Sequence, residues 1–165
     1  MTRKPPSAIT PITGSMLYDM IQCEHRPYMD VFANPALRES PDPFVELLWE
    51  AGQTHEEDVI ASLGLSFVSA ASYDLAERES QTLAAINAKA SLIYGGRISS
   101  GDLLGEPDLL RWDGKGYVAG DIKSGAGLDP QGYLKKDYGV QVALYTDILE
   151  RLGIASTRTP FIIDE

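Results

Sequence analysis

Two aspartates and a lysine stand where a tight turn would bring them together. The run Gly105-Glu106-Pro107-Asp108-Leu109-Leu110 is followed by Asp113-Gly114, and then by Gly120-Asp121-Ile122-Lys123-Ser124. An Asp-Gly pair between two apolar runs is a hairpin signal. On the antiparallel strands that such a turn joins, Asp108 and Asp121 come near one another. Because side chains alternate along a strand, Asp121 and Lys123 leave the second strand on one face. Two carboxylates and an ammonium flanked by Leu109, Leu110, Val118 and Ile122 are costly to bury unpaired, and a divalent cation between the carboxylates relieves their repulsion. Mg²⁺ takes oxygen ligands, keeps several waters and is commonly held by one or two carboxylates together with a substrate phosphate. Such an ion acidifies its water and polarises a phosphoryl oxygen, while Lys123 orients the water or neutralises developing charge. The trio therefore suits phosphodiester hydrolysis. A lone Asp-x-Lys arises often by chance; the weight lies in a second aspartate across the turn.

These residues need strands beneath them and helices around them. Leu92-Ile93-Tyr94 through Ile98 reads as one strand, and Leu103 to Trp112 as a second, broken at Gly105-Glu106-Pro107. Tyr117 to Lys123 reads as that strand's partner, and Thr159 to Ile163 as a closing strand. Helical spacing starts after Thr13 or Ser15 through Met16, Leu17, Met20 and Ile21. Pro27 interrupts it, and Tyr28 to Phe32 adds a further turn. A long helix is expected from Asp42-Pro43, with Pro43 in the first turn. It runs through Phe44, Leu47, Leu48, Ala51, His55, Val59, Ile60 and Leu63 and ends at Gly64. A short strand at 65–70 precedes a second long helix opened by Ser72 or Asp74, with Leu75, Leu83, Ile86 and Ala90 buried. A last helix covers about 133–151 and ends at Gly153. Residues 1–12, with Pro5, Pro6 and Pro11, read as a flexible leader. The order describes an α/β domain with a mixed sheet flanked by helices. Its core is expected over 42–165, with 1–41 as leader and short helical extension.

Three strings together carry a resemblance. Pro107-Asp108 followed by Asp121-Ile122-Lys123 resembles the Pro-Asp … Asp-x-Lys signature of the RecB-like branch of PD-(D/E)xK nucleases, which includes CRISPR-associated single-strand exonucleases and the nuclease domains of recombination helicase–nucleases. Gly52-Gln53-Thr54-His55-Glu56 resembles the branch's upstream glycine-to-histidine motif, and Gln141-Val142-Ala143-Leu144-Tyr145 its Gln-xxx-Tyr helix motif. The resemblance spans residues 52–145. It implies a restriction-endonuclease-like fold and a Mg²⁺- or Mn²⁺-dependent deoxyribonuclease acting on single-stranded DNA or DNA ends. Asp108, Asp121 and Lys123 would be catalytic, with His55, Asp108, Asp121 and the carbonyl of Ile122 as metal ligands and Gln141 and Tyr145 as substrate contacts. It further implies a helicase or ribonuclease domain in a longer chain. Read without the resemblance, His55 is a core or half-exposed histidine, and Gln141 and Tyr145 are two residues sharing a helix face. An imidazole ligand would favour Mn²⁺ over an all-oxygen site's preference. Glu56 and Glu57 read as a solvated face, with Glu56 able to reach the site through water.

The 14 Lys and Arg against 24 Asp and Glu, a formal −10, exclude a broad nucleic-acid-coating surface. They leave room for a narrow basic groove beside a metal site. Lys135 and Lys136, at the start of the last helix, are placed to face a phosphate backbone, and Tyr133, Tyr138 and Tyr145 are spaced so that some would stack on bases. No apolar run approaches a membrane span. The single cysteine, Cys23, cannot form an internal disulfide, which favours a reducing compartment, most simply the cytoplasm. Its surroundings, Cys23-Glu24-His25-Arg26-Pro27-Tyr28, resemble the upstream position of an iron–sulfur cluster found in several relatives of the branch. Four thiolates are needed, so a cluster is expected only where a longer chain supplies further cysteines. By itself Cys23 is expected to be a buried, unreactive thiol. The competing expectation is a non-catalytic module that keeps the fold for assembly or nucleic-acid docking.

Overall fold

The computed structural model describes residues 10–164; most of the leader expected over 1–12 lies outside them. Five helices and eight short strands form a mixed α/β arrangement with two mixed sheets. In chain order these are β1 (Ile12–Thr13), α1 (Gly14–Gln22), α2 (His25–Phe32), α3 (Pro43–Ser62), β2 (Val68–Ser69), α4 (Leu75–Asn87), β3 (Leu92–Tyr94), β4 (Ile98–Ser100), β5 (Leu103–Gly105), β6 (Leu109–Trp112), β7 (Tyr117–Ile122), α5 (Lys136–Arg151) and β8 (Phe161–Ile163). Among the described residues, no helix is long and apolar enough to cross a membrane.

Side-chain caps set the helix starts. Thr13 Oγ1 accepts from the Met16 N–H, Asp42 from the Phe44 N–H, and Asp74 from the N–H groups of Ala76 and Glu77, each satisfying donors that a first turn leaves free. Pro27 does not break α2, because it falls in the first turn, where no N–H is needed. The last helix starts at Lys136, three residues later than its periodicity suggested, and Lys135 offers no side-chain cap.

The five-stranded sheet has the order β2-β3-β6-β7-β8 and the smaller one β1-β5-β4. Two stretches, one expected as a single strand and the other as a strand broken at Gly105-Glu106-Pro107, each pass from one sheet to the other. The first bends at Gly95-Gly96 between β3 and β4, where Gly95 takes a positive φ of 66° that glycine alone adopts freely. The second bends at Glu106-Pro107-Asp108 between β5 and β6. A hydrogen bond from Gly95 N–H to the Asp108 carbonyl, 2.9 Å, ties the two bends together. Ile12, expected in the leader, pairs in parallel with Leu103, and α1 packs on α5. The described amino-terminal residues are thus part of the main packing.

One face of the larger sheet presents Ile93, Leu110, Tyr117 and Ala119 to a core shared with Ala85, Ile86, Val142, Tyr145, Ile148 and Leu149 of α4 and α5. The other face presents Leu92, Leu109 and Ile122 to Ile60, Val59 and Leu63 from the end of α3. Phe44, Leu47 and Leu48, apolar residues of α3, are 53–64% exposed, as is Trp49. In α4 the buried side is Thr82, Ala85 and Ile86, while Leu75 and Leu83 face solvent. Cys23 is exposed at the carboxyl end of α1, not buried, because α1 turns its core side through Gly14 towards Tyr145.

Candidate functional site

Antiparallel pairing of β6 with β7 matches Leu109 with Gly120 and Leu110 with Ala119. Continued by one residue, this register sets Asp108 opposite Asp121, at the bend where one strand leaves the sheet. Asp121 is 3% exposed on the α5 side of β7, and Lys123 makes a close ion pair with its Oδ2. Apart from this ion pair, the buried Asp121 Oδ2 has no hydrogen-bond partner among the described residues. Asp108 Oδ2 accepts the Ile122 N–H at 2.7 Å. Pro107 would be the ladder partner of Ile122, and proline has no N–H to give. The carboxylate thus takes over the donor, while the Ile122 carbonyl has no donor opposite it.

The electrostatics follow from this crowding. Burial, then the Asp121 and Glu56 carboxylates, push Asp108 up to about 8, and the Ile122 N–H offsets only part of that. Burial pulls the Lys123 ammonium towards neutrality, but Asp121 and Asp108 outweigh it and its pKa is raised. Lys123 therefore stays charged beside the pair.

Glu56 enters this group from α3. Its pKa is raised by burial, opposed by a hydrogen bond from the Tyr94 hydroxyl, and raised again by Asp121. Burial and Glu56 in turn push Tyr94 up to about 12. Sequence reasoning read Glu56 as a solvated face able to reach the site through water, and Tyr94 only as a strand residue. The available signal was that Glu56 directly follows His55 on a helix expected to reach the site.

The residues expected around the trio are placed unevenly. Tyr145 is 5% exposed, its ring packed where Gly105 and Gly14 leave room for it. Burial, then Asp121 and Asp108, raise its pKa, which places the phenol in their field. With Gln141, Thr13, Ser15 and Glu106 it lines an opening of about 140 Å³. Gln141 Oε1 and His55 Nε2 are buried without hydrogen-bond partners. The shell expected from His55, Asp108 and Asp121 is not assembled: among the described residues, no three His, Cys, Asp or Glu side chains gather closely enough to hold a metal ion. What stands together is a pair of carboxylates with an ammonium.

Around Asp108 lies a network of charged and polar side chains. Glu106 takes Arg97 Nη1 at 2.6 Å and Arg78 Nη1 at 3.6 Å, and Arg78 donates to the Gly95 carbonyl at 2.6 Å. Thr82, fully buried, accepts the Arg97 N–H and donates to the Arg78 carbonyl. Both bends that shape the Asp108 position are held from α4 by these contacts.

Known proteins do not assign a family. No family model matches the chain, and no curated protein or solved structure gives a significant match.

The donor set fits a hard divalent ion in part. Two carboxylates, one of them paired with Lys123, and an unopposed carbonyl suit Mg²⁺ or Mn²⁺, which need few protein ligands when waters and a phosphate complete the shell.

Proposed function

We propose that this chain is a metal-dependent nuclease domain of the RecB-like PD-(D/E)xK kind, with a restriction-endonuclease-like fold, hydrolysing phosphodiester bonds in single-stranded DNA or at DNA ends. The observation that carries this reading is the placement of Asp108 opposite Asp121 with the Lys123 ammonium on Asp121. A docking surface requires no such grouping, and its burial cost calls for a compensating role.

A bound Mg²⁺ or Mn²⁺ would supply an acidified water and polarisation of the phosphoryl oxygen. Asp108 and Asp121 would hold it, with the Ile122 carbonyl as a neutral addition. Asp108 shares its field with a second carboxylate, so it exchanges a proton for a cation readily near neutral pH. Lys123, kept charged by both aspartates, faces the negative charge that builds on the phosphoryl oxygens. Gln141 and Tyr145 border the opening beside the pair and orient the strand.

The test is degradation of single-stranded DNA with Mn²⁺ by the chain and by its Asp121→Ala and Lys123→Ala variants. Each substitution is expected to lower the rate by at least about 10²–10³-fold. Cleavage undiminished in both variants overturns the reading. A non-catalytic docking module is the competing reading, favoured by the absence of a three-ligand cluster among the described residues. Calorimetric titration separates the two: the nuclease takes up Mn²⁺ and loses that uptake in Asp121→Ala, whereas the docking module takes up none.

A further inference from the structure

A groove of about 410 Å³ lies between the end of α1, the loop before α5 and the first turn of α5, away from the opening at Gln141 and Tyr145. Tyr133, Lys135 and Lys136 line it, with Gln22, Asp129 and Asp137. Tyr133 is 72% exposed, yet its backbone is not loosely held. Asp129 Oδ1 accepts the N–H groups of Gln131 and Tyr133, both at 2.9 Å, and the Asp129 N–H donates back to the Tyr133 carbonyl at 2.8 Å. A rigid turn thus presents an aromatic face to solvent, an arrangement that lowers the ordering cost of stacking.

The groove connects to the Asp121–Lys123 pair through one ring. Lys135 Nζ and Lys123 Nζ each lie 5.3 Å from the centroid of Tyr138, so they are no farther apart than twice that distance. Tyr18 of α1 stacks on the same ring, with centroids 6.4 Å apart and planes at 20°. Aromatic rings and ammonium groups therefore alternate from Tyr133 to Lys123.

We propose that this groove is a docking track for single-stranded nucleic acid, with a base stacked on Tyr133 and the backbone held by Lys135 and Lys136, leading towards Lys123. The proposal rests on the hydrolytic reading and adds the path by which the strand reaches the site. Single strands fit for two reasons. A ring at the mouth of a groove reaches a base face only when that base is unpaired. The chain's formal −10 opposes the many-phosphate contact that duplex binding needs, whereas stacking is indifferent to it. Asp129 and Asp137 weaken the local field further. Their oxygens are engaged, Asp129 by the turn and Asp137 by Gln22 Nε2 at 2.7 Å and the Tyr138 N–H at 3.0 Å. Stacking is therefore the larger contribution to affinity.

The test is fluorescence anisotropy of a labelled oligo(dT) of about 12 nucleotides with the full chain in EDTA, where hydrolysis does not enter the readout. Tyr133→Ala is expected to weaken binding roughly 5–100-fold, and Tyr133→Phe to bind within about twofold of the parent. Lys135→Ala with Lys136→Ala is expected to flatten the logarithmic salt dependence by about 1.4. Circular dichroism confirms that the surface variants remain folded. The proposal is overturned if the parent chain binds no oligo(dT), if Tyr133→Ala binds as the parent does, or if blunt duplex of equal length binds more tightly. Binding intact in EDTA together with no cleavage in Mn²⁺ would count against the hydrolytic reading and leave the track standing.

Discussion

Strand β7 and the first half of α3 are both rich in apolar residues, and their surroundings are opposite. All six residues of Tyr117–Ile122 are buried. Phe44, Leu47, Leu48 and Trp49 are each more than half exposed. The strand has a layer on each side: α4 and α5 over Tyr117 and Ala119, the end of α3 over Ile122. Among the described residues, the helix makes its apolar contacts with the core near its far end, where Val59, Ile60 and Leu63 meet Leu92, Leu109 and Ile122. A helix of 20 residues is about 30 Å long, more than a sheet of two- to six-residue strands covers. Periodicity states which face of an element favours burial, but the neighbouring layer decides whether burial occurs. The consequence for the site is a division of labour. Asp108, Asp121 and Lys123 sit on the rigid side, while His55 and Glu56 ride on a helix anchored at one end.

The largest expected effect tests this division directly. Ile148 is fully buried against the β7 side of the core, and Ile148→Ala is expected to cost about 2–5 kcal/mol in urea unfolding. Leu48, 53% exposed, loses little area on truncation; Leu48→Ala is expected to stay within about 0.5 kcal/mol. Equal losses at the two positions would show that the first half of α3 is covered in solution.

An intermediate effect concerns the charge pair. The folded pKa of Asp108 is raised to about 8, above the ordinary carboxylate value. A raised folded pKa means that stability is fullest below the unfolded value and is lost as pH climbs through the folded one. Without divalent ions, the melting temperature is expected to fall by roughly 3–10 °C between pH 4 and about 8. Asp108→Asn should flatten this profile, and saturating Mn²⁺ should restore the parent's stability at the alkaline end. A profile equally steep in Asp108→Asn would place the titrating group elsewhere, with Glu56, also raised, the first alternative.

The same contrast explains what was legible in the residues alone. Thr13, Asp42 and Asp74 cap their helices because a short polar side chain ahead of a periodic run is a local signal, complete within four residues. Asp108 and Asp121 were legible for a related reason: the turn at Asp113-Gly114 makes their approach a matter of counting along two strands. The break at Gly105-Glu106-Pro107 was legible too, but not that the chain changes sheets there and at Gly95, since strand pairing over a distance decides it. Nor was the approach of Glu56 and Tyr94 to Asp108, which depends on how α3 lies across the sheet. Exposure of Phe44 and Leu47 depends on where the sheet ends, and no local pattern carries that.

The smallest effect is the most discriminating, because it has the opposite sign. Gly52 lies inside α3 with no atom within 4 Å of where a Cβ would stand. An interior helical glycine costs about 0.5–1 kcal/mol relative to alanine through its backbone freedom. In open surroundings nothing offsets the gain from replacing it, so Gly52→Ala is expected to raise stability by up to that amount. Local opening of a helix anchored at one end need not involve the whole molecule. The gain should therefore appear first as slower amide exchange over residues 46–56, and only weakly in the global midpoint. Accelerated exchange there, or a lowered midpoint, would mean that another surface approaches Gly52 closely in solution.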